Sequence, residues 1–171
     1  NIDAVKRLGI KKLIFTCAGC LKMFREEYPK HTKVDFETEH LVEFLAKKDL
    51  KRLPLKKRIT YHDPCHIGRH FGIFEEPRRI LRAFPGSEYL ELPRNRLDSQ
   101  CCGAGGGYKI QFNDRAEFIA SLRVEEARGV GAEMLVSACP FCVTNLTGGA
   151  KRAGIDMPVA ELVSLVADSV E

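Results

Sequence analysis

The sequence is clearest about its fold at residues 133–142, which read EMLVSACPFC. The first six residues form a short apolar run that is typical of a buried strand. Pro140 follows at a position where the first turn of a helix accepts proline. A strand that leads directly into a helix is the unit from which parallel sheets are built, so this stretch predicts an α/β protein.

A similar stretch near the start of the chain indicates an internal repeat. Residues 11–24, KKLIFTCAGCLKMF, match residues 133–146, EMLVSACPFCVTNL, and both are followed by a helical pattern, EHLVEFLA at 39–46 and AELVSLVA at 160–167. Further strands are predicted at 34–37, 58–62 and 87–92, and helices at 38–46, 65–70, 76–83, 114–128 and 159–170. The prediction is a Rossmann-like parallel sheet with helices on both faces, built from a pseudo-repeat and packed as one globular unit.

Length and composition exclude several classes of protein. The chain has 171 residues, of which 44% are hydrophobic and 29% charged, as in a globular domain with its own core. No apolar run approaches the ~20 residues that span a bilayer, so we expect no direct membrane insertion. The net charge of +4 and the lack of an aromatic-basic motif argue against nucleic acid as a partner. The chain begins without a signal-peptide pattern, and we expect a fragment of a longer, cytoplasmic protein.

Seven cysteines are many for such a domain, and five of them follow the pattern C-x35-CC-x36-C-x2-C. Another C-x2-C stands apart at Cys17 and Cys20. Cys17, Cys65 and Cys139 each come just after a predicted strand, and the carboxyl ends of parallel strands meet at one edge of a sheet. We therefore expect the thiols of the pattern to meet at that edge. They belong to Cys65, Cys101, Cys102, Cys139 and Cys142.

Several chemistries compete for these thiols. Zinc takes four ligands, which leaves a fifth thiol unused and gives no reason for two adjacent cysteines. A redox dithiol at Cys139 and Cys142 leaves Cys65 unexplained, and burial as small apolar side chains explains one cysteine better than five. An iron–sulfur cluster has several irons that neighbouring thiolates can share. The glycines after the pair would let backbone N–H groups approach the cluster. They are Gly103, Gly105 and Gly106.

Three motifs, YHDPCHIG at 61–68, SQCCGAGGGY at 99–108 and SACPFC at 137–142, resemble the CCG, or cysteine-rich, domain family. This domain occurs, usually twice per chain, in heterodisulfide reductase catalytic subunits and in iron–sulfur subunits of glycolate, lactate and glycerol-3-phosphate oxidation systems. The resemblance implies that residues 59–171 are a complete repeat, 51–58 a basic linker and 1–50 the tail of a preceding repeat. A site built on Cys17 and Cys20 is then incomplete and is not expected to hold a cluster alone.

The resemblance also implies a cofactor and a function. The cofactor is a [4Fe-4S]-type cluster, non-cubane in heterodisulfide reductases, held by all five cysteines of the motif; preparation in air can leave the site empty. The reaction is cluster-mediated reductive cleavage of a disulfide, which makes the protein an oxidoreductase acting on an anionic thiol or disulfide small molecule. Because no C-x2-C-x2-C run is present, an electron-donating iron–sulfur or flavin subunit is expected as partner. This subunit could also attach the protein peripherally to a membrane complex.

Two other functions stay open at this point: an electron relay for a glycolate-, lactate- or glycerol-3-phosphate-type dehydrogenase, and a zinc-stabilised interaction module. His66 and His70 share one helix face and are candidate catalytic proton donors, with ordinary packing as the alternative.

The glycine-rich run is not a dinucleotide site, because Tyr108 takes the place of the third glycine. Four basic residues are candidates for binding anionic groups or for plain surface solvation. They are Arg69, Arg94, Arg96 and Lys109.

Overall fold

The computed structural model describes residues 1–49 and 51–170, and within them six strands form two parallel sheets. The larger sheet has the order β4-β3-β5-β6, and the smaller one pairs β1 with β2. The α/β class with a parallel sheet is therefore confirmed. The strands are β1 (Lys12–Phe15), β2 (Glu37–His40), β3 (Arg58–His62), β4 (Glu88–Leu90), β5 (Met134–Ser137) and β6 (Val159–Glu161).

Helices connect the strands, as parallel pairing requires. They are α1 (Ile2–Arg7), α2 (Ala18–Lys22), α3 (Leu41–Leu45), α4 (Cys65–Phe71), α5 (Glu75–Arg82), α6 (Tyr108–Gln111), α7 (Asn113–Gly129), α8 (Pro140–Ala153) and α9 (Leu162–Ala167). A π turn (Met23–Glu27) extends α2, and single 3-10 turns lie at Tyr28–Lys30 and Arg96–Asp98. Among residues 1–49 and 51–170, no helix combines the length and the apolar character needed to cross a membrane.

The larger sheet carries helices on both faces, as predicted. Successive residues of a strand point to opposite faces, and β5 shows this directly. Met134 and Val136 pack in one apolar cluster with residues of α5 and α9, whereas Leu135 packs in a second cluster with residues of α7 and α8. Both clusters are continuous and buried, so β5 lies at the centre of the fold.

The internal repeat is visible as the same element order, β1-α2-β2-α3 in one copy and β5-α8-β6-α9 in the other. The strand predicted at 34–37 is found at Glu37–His40, and the helix predicted to reach residue 170 ends at Ala167. Two further boundaries were wrong at the same place in each copy. Residues 38–40 and 159–161 form strands rather than the first turns of helices. Each strand runs straight into its helix, so their apolar residues look like one helical pattern. Backbone pairing with β1 and with β5 decides the strand.

The basic segment 51–58 is held by backbone hydrogen bonds to two separate parts of the chain. The N–H of Leu53 donates to the carbonyl of Ser169 at 2.8 Å, and the N–H of Leu55 donates to the carbonyl of Pro85 at 3.0 Å. The division of the chain into a repeat tail, a linker and a complete repeat stays a prediction.

Candidate metal centre

All five thiols of the sequence pattern line one cavity of about 300 Å³ at the carboxyl edge of the sheets. Cys65 opens α4 directly after β3, and Cys139 and Cys142 lie at the start of α8 directly after β5. Cys101 and Cys102 reach the cavity from the loop between the 3-10 turn at 96–98 and α6. A sixth cysteine, Cys17 at the start of α2, also lines the cavity. All seven cysteines of the chain are free.

The five thiols form a continuous series of neighbours, each close enough to shift the pKa of the next. Cys65 contacts Cys101, Cys101 contacts Cys102, Cys102 contacts Cys142, and Cys142 contacts Cys139. Cys17 is not in this series, because its thiol contact is with Cys20. The site therefore consists of five neighbouring sulfur atoms, two of them from residues adjacent in sequence.

These neighbours shift the pKa values of the sulfurs in opposite directions. Hydrogen bonds from the thiols of Cys102 and Cys65 lower the pKa of Cys101 to about 2, and the thiol of Cys142 lowers the pKa of Cys139 to about 6. The backbone N–H groups of Cys142 and Phe141, at the start of α8, also lower the pKa of Cys139. The same contacts raise the pKa of Cys65, Cys102 and Cys142, that of Cys102 to about 12. A metal binding here would displace protons from these three.

The donor set fits an iron–sulfur cluster better than a single zinc ion. Thiolates are soft ligands that both zinc and iron–sulfur clusters accept. A structural zinc site uses four ligands in a tetrahedron, so it would leave one of five contiguous sulfurs unused. A cluster spreads several irons over the cavity and can bind adjacent thiolates on different irons.

The glycines after the cysteine pair serve two purposes. Gly103 has φ +88°, and a Cβ there would lie 2.9 Å from Cβ of Ile119 on α7, so the loop approaches that helix too closely for any side chain. The N–H of Gly103 donates to Sγ of Cys101 at 3.4 Å. Gly105 and Gly106 line the cavity itself, and their missing side chains leave it open.

A buried ion network fixes the loop that carries Cys65. The guanidinium of Arg78 donates to both carboxylate oxygens of Asp63 at 2.8 Å, and to Glu91 at 2.8 and 2.9 Å. Arg78 and Asp63 are both buried. Burial alone would lower the pKa of Arg78, but the bonds to Asp63 and Glu91 raise it. Asp63 also accepts from the backbone N–H of Arg96 at 2.8 Å, which ties the loop before Cys65 to the segment before Cys101.

Asn145, in the interior of α8, positions the cysteine pair. Its amide nitrogen donates to the carbonyl of Cys102 at 2.6 Å and to that of Ala116 at 3.0 Å, and its oxygen accepts from Lys109 at 2.9 Å. The side chain is fully buried. No local sequence pattern indicates Asn145, Asp63 or Arg78, because each acts through a partner distant in sequence.

The four basic candidates for anion binding all have partners within the protein. Arg69 donates to the carbonyls of Leu97 and Ser99, and Lys109 to Asn145 and Glu117. Arg94 pairs with Glu126, and Arg96 with Glu75 and Glu91. These contacts favour structural roles for the four side chains.

The two candidate catalytic histidines lie on one face of α4, as the spacing predicts. Their rings stack with centroids 5.0 Å apart. His66 lines the cavity, and its Nδ1 lies 3.4 Å from Sγ of Cys65, whereas His70 is exposed and outside the cavity lining. Burial lowers the pKa of His66, and so do the neighbouring His70 and Lys22. Their catalytic roles stay predictions.

Comparison with known proteins identifies the domain. The family described as cysteine-rich domain, CCG, matches residues 59–147, just over half of the chain. The chain belongs to the CCG family. This confirms the resemblance inferred from the three cysteine motifs, all of which begin within the matched range.

Curated relatives of this CCG protein are components or members of larger oxidoreductases. A component of dihydromethanophenazine:CoB–CoM heterodisulfide reductase from Methanosarcina mazei is 40% identical over 177 residues, covering 99% of this chain and 43% of the relative. A component of fumarate reductase (CoM/CoB) from Methanothermobacter marburgensis is 34% identical over 161 residues, which cover 92% of this chain and 32% of the relative. The probable iron-sulfur-binding oxidoreductase FadF from Bacillus subtilis is 34% identical over 176 residues, which cover 99% of this chain and 25% of the relative. The chain thus spans less than half the length of these relatives.

Proposed function

We propose that the CCG protein is an iron–sulfur oxidoreductase of the heterodisulfide reductase type, which reduces a small anionic disulfide at a [4Fe-4S]-type cluster, non-cubane in form. The observation that carries the proposal is the continuous series of five sulfurs lining one cavity. The named functions of the relatives support the redox chemistry. An iron–sulfur or flavin subunit would deliver the electrons, because the sequence has no C-x2-C-x2-C run of its own.

Residues of this chain would bind the cluster and donate a proton to the product. Cys65, Cys101, Cys102, Cys139 and Cys142 are the proposed ligands. When bound, the cluster would supply electrons to the substrate disulfide. His66 faces the cavity beside Cys65, and as a half-buried imidazole it can give a proton to a departing thiolate. Phe141, Gly105 and Gly106 line the cavity around the sulfurs.

The metal content tests the first half of the proposal. After anaerobic reconstitution with iron and sulfide, we expect about four irons per chain and a broad visible charge-transfer absorption. Stoichiometric zinc without that absorption would support the zinc-stabilised module and contradict the proposal.

Cys101→Ser and Cys102→Ser should each abolish cluster assembly with an unchanged far-ultraviolet circular dichroism spectrum. Cys20→Ser, an exposed cysteine outside the cavity lining, is the matched control. Full iron retention in both test variants would refute the ligand assignment.

A thiol titration tests the second half. If the substrate is a disulfide, a product thiol should perturb the paramagnetic resonance signal of the oxidised cluster. His66→Gln should slow disulfide reduction and leave the iron content unchanged, whereas His70→Gln should affect neither. A paramagnetic resonance signal that does not change when thiol is added would favour the electron relay over disulfide reduction.

A further inference from the structure

His62 is a buried polar side chain beside the sulfurs, and neither the ligand set nor the proton step uses it. It is the last residue of β3, three positions before Cys65, and only 1% of it is exposed. Its Nε2 has no hydrogen-bond partner among the described residues. One of its ring nitrogens and the sulfurs of Cys102 and Cys142 all lie within 4.8 Å of one another. A buried polar atom without a partner is costly, which points to a group that the site receives.

Arg123 determines which nitrogen of His62 carries the proton. Its Nε–H donates to Nδ1 of His62 at 3.3 Å. A guanidinium has no acceptor, so Nδ1 must be unprotonated and the ring proton must lie on Nε2. Arg123 cannot easily turn away, because its Nη1 donates to Glu126 and to the carbonyl of Arg94, both at 2.7 Å. A charged imidazolium would place two cations together in a buried site, so the ring is neutral.

This tautomer makes His62 a donor rather than a ligand. Binding metal through Nε2 would move the ring proton to Nδ1. Two N–H donors, that of Nδ1 and that of Nε of Arg123, would then face each other with no acceptor between them. A protonated Nε2 can instead donate a hydrogen bond to a sulfur of the group bound there. Hydrogen bonds to cluster or thiolate sulfur stabilise the reduced, more negative state and raise the reduction potential.

We propose that His62 acts as a positioning residue that donates Nε2–H to a sulfur of the bound cluster and raises its reduction potential, with Arg123 holding the tautomer. The inference rests on the proposed iron–sulfur function and adds to it a means of setting the potential. It concerns residues that the cysteine motif does not include.

Redox titration of the full protein, followed by electron paramagnetic resonance, tests the proposal. His62→Leu should still assemble the cluster, but at a fixed applied potential its reduced-to-oxidised ratio should fall about tenfold, which for one electron is about 59 mV. His62→Gln keeps an amide N–H near the position of Nε2 and should recover most of the potential. Equal potentials in the wild type and His62→Leu would overturn the proposal.

The outcomes separate this inference from the proposed function. Absence of iron and sulfide from the reconstituted wild type would refute the function itself, whereas a cluster with an unchanged potential in His62→Leu would refute the donor role alone. The tautomer can also be measured in the reduced, metal-free wild type by ¹⁵N nuclear magnetic resonance, even if His62→Leu does not fold. A proton on Nε2 supports the proposal, and a proton on Nδ1 overturns it.

Discussion

The two copies of the β-α-β-α unit have the same element order but different surroundings. In the second copy, β5 lies between β3 and β6, and all four of its residues are buried. In the first copy, β1 pairs with β2 in a two-stranded sheet, and its residues alternate between exposed and half-buried. The same local sequence pattern therefore builds a central strand in one copy and a partly solvated strand in the other.

The cysteines of the two copies differ in the same way. Cys142 is buried and contacts Cys102 as well as Cys139, whereas the equivalent Cys20 is exposed and contacts Cys17. The C-x-x-C at the start of a helix thus supplies only part of a metal site. The remaining donors come from the loop after β3 and from the cysteine pair, and the first copy has no counterpart of either within this chain.

The largest expected difference is in iron binding. Cys17 and Cys139 hold equivalent positions before α2 and α8, and both line the cavity. In the present chain, Cys139→Ser should abolish cluster assembly, because it breaks the series of five sulfurs, and Cys17→Ser should leave the iron content unchanged. Iron and acid-labile sulfide analysis after reconstitution measures both. Equal iron loss in the two variants would show that the copies share one site.

A fully buried ion pair beside the larger sheet should also be distinguished from a pair in the first copy whose lysines are solvated. Asp63→Asn leaves the buried Arg78 with Glu91 as its remaining carboxylate partner and should lower the free energy of unfolding by about 3 kcal/mol, the low end for a broken buried pair. In the first copy, Glu39 pairs with Lys12 and Lys47, whose side chains are 40% and 67% exposed. Glu39 itself is buried, but Glu39→Gln should cost less than Asp63→Asn, because the two lysines that lose their partner remain in contact with solvent. Urea denaturation compares them, and similar losses would contradict this ranking.

The residues that cap the second helix of each copy should respond differently to pH. His40 caps α3 and Glu161 caps α9 through side-chain acceptors. Burial lowers the pKa of His40 from 6.5 to about 4, so the unfolded state takes up a proton first as the pH falls. The neutral side chain of His40 therefore contributes about 3 kcal/mol to the free energy of unfolding. This contribution is fully present above pH 6.5 and is lost as the pH falls to 4.

Denaturation of His40→Gln between pH 7 and pH 4 measures this contribution. The difference in unfolding free energy between the wild type and His40→Gln should shrink as the pH falls through that window. Glu161→Gln alters the equivalent cap and serves as the control for loss of capping alone. A difference that is independent of pH would exclude His40 as the titrating group.

The smallest expected contrast is between two equivalent leucines. Leu135 of β5 is completely buried, and Leu13 of β1 is half-buried. Leu135→Ala should cost about 3 kcal/mol, because it leaves a cavity between the sheet and α7 with α8. Leu13→Ala should cost about 1 kcal/mol, since its site can be filled by solvent or by relaxation. Thermal unfolding ranks the two, and equal costs would indicate that β1 is as deeply packed as β5.

Much of the fold was predictable from the sequence because its signals are local. Apolar runs followed by turn residues located the strands, and the repeated motif indicated two similar units. Local signals failed where β2 and β6 run into helices, since a strand next to a helix shares its apolar residues. The hydrogen bonds of Asp63 to Arg78 and of His62 to Arg123 join residues 15 and 61 positions apart, so no local pattern indicates them.

The alternation of strands and helices, and the meeting of the five motif cysteines at one edge, followed from the sequence. Short-range periodicity and the common direction of parallel strands are sufficient for both. Three-dimensional packing was needed to bring His62 beside the sulfurs, to place Arg123 against its ring and to leave Cys20 exposed. These outcomes depend on which segments contact one another after the chain has folded, and such contacts are set by the whole core rather than by neighbouring residues.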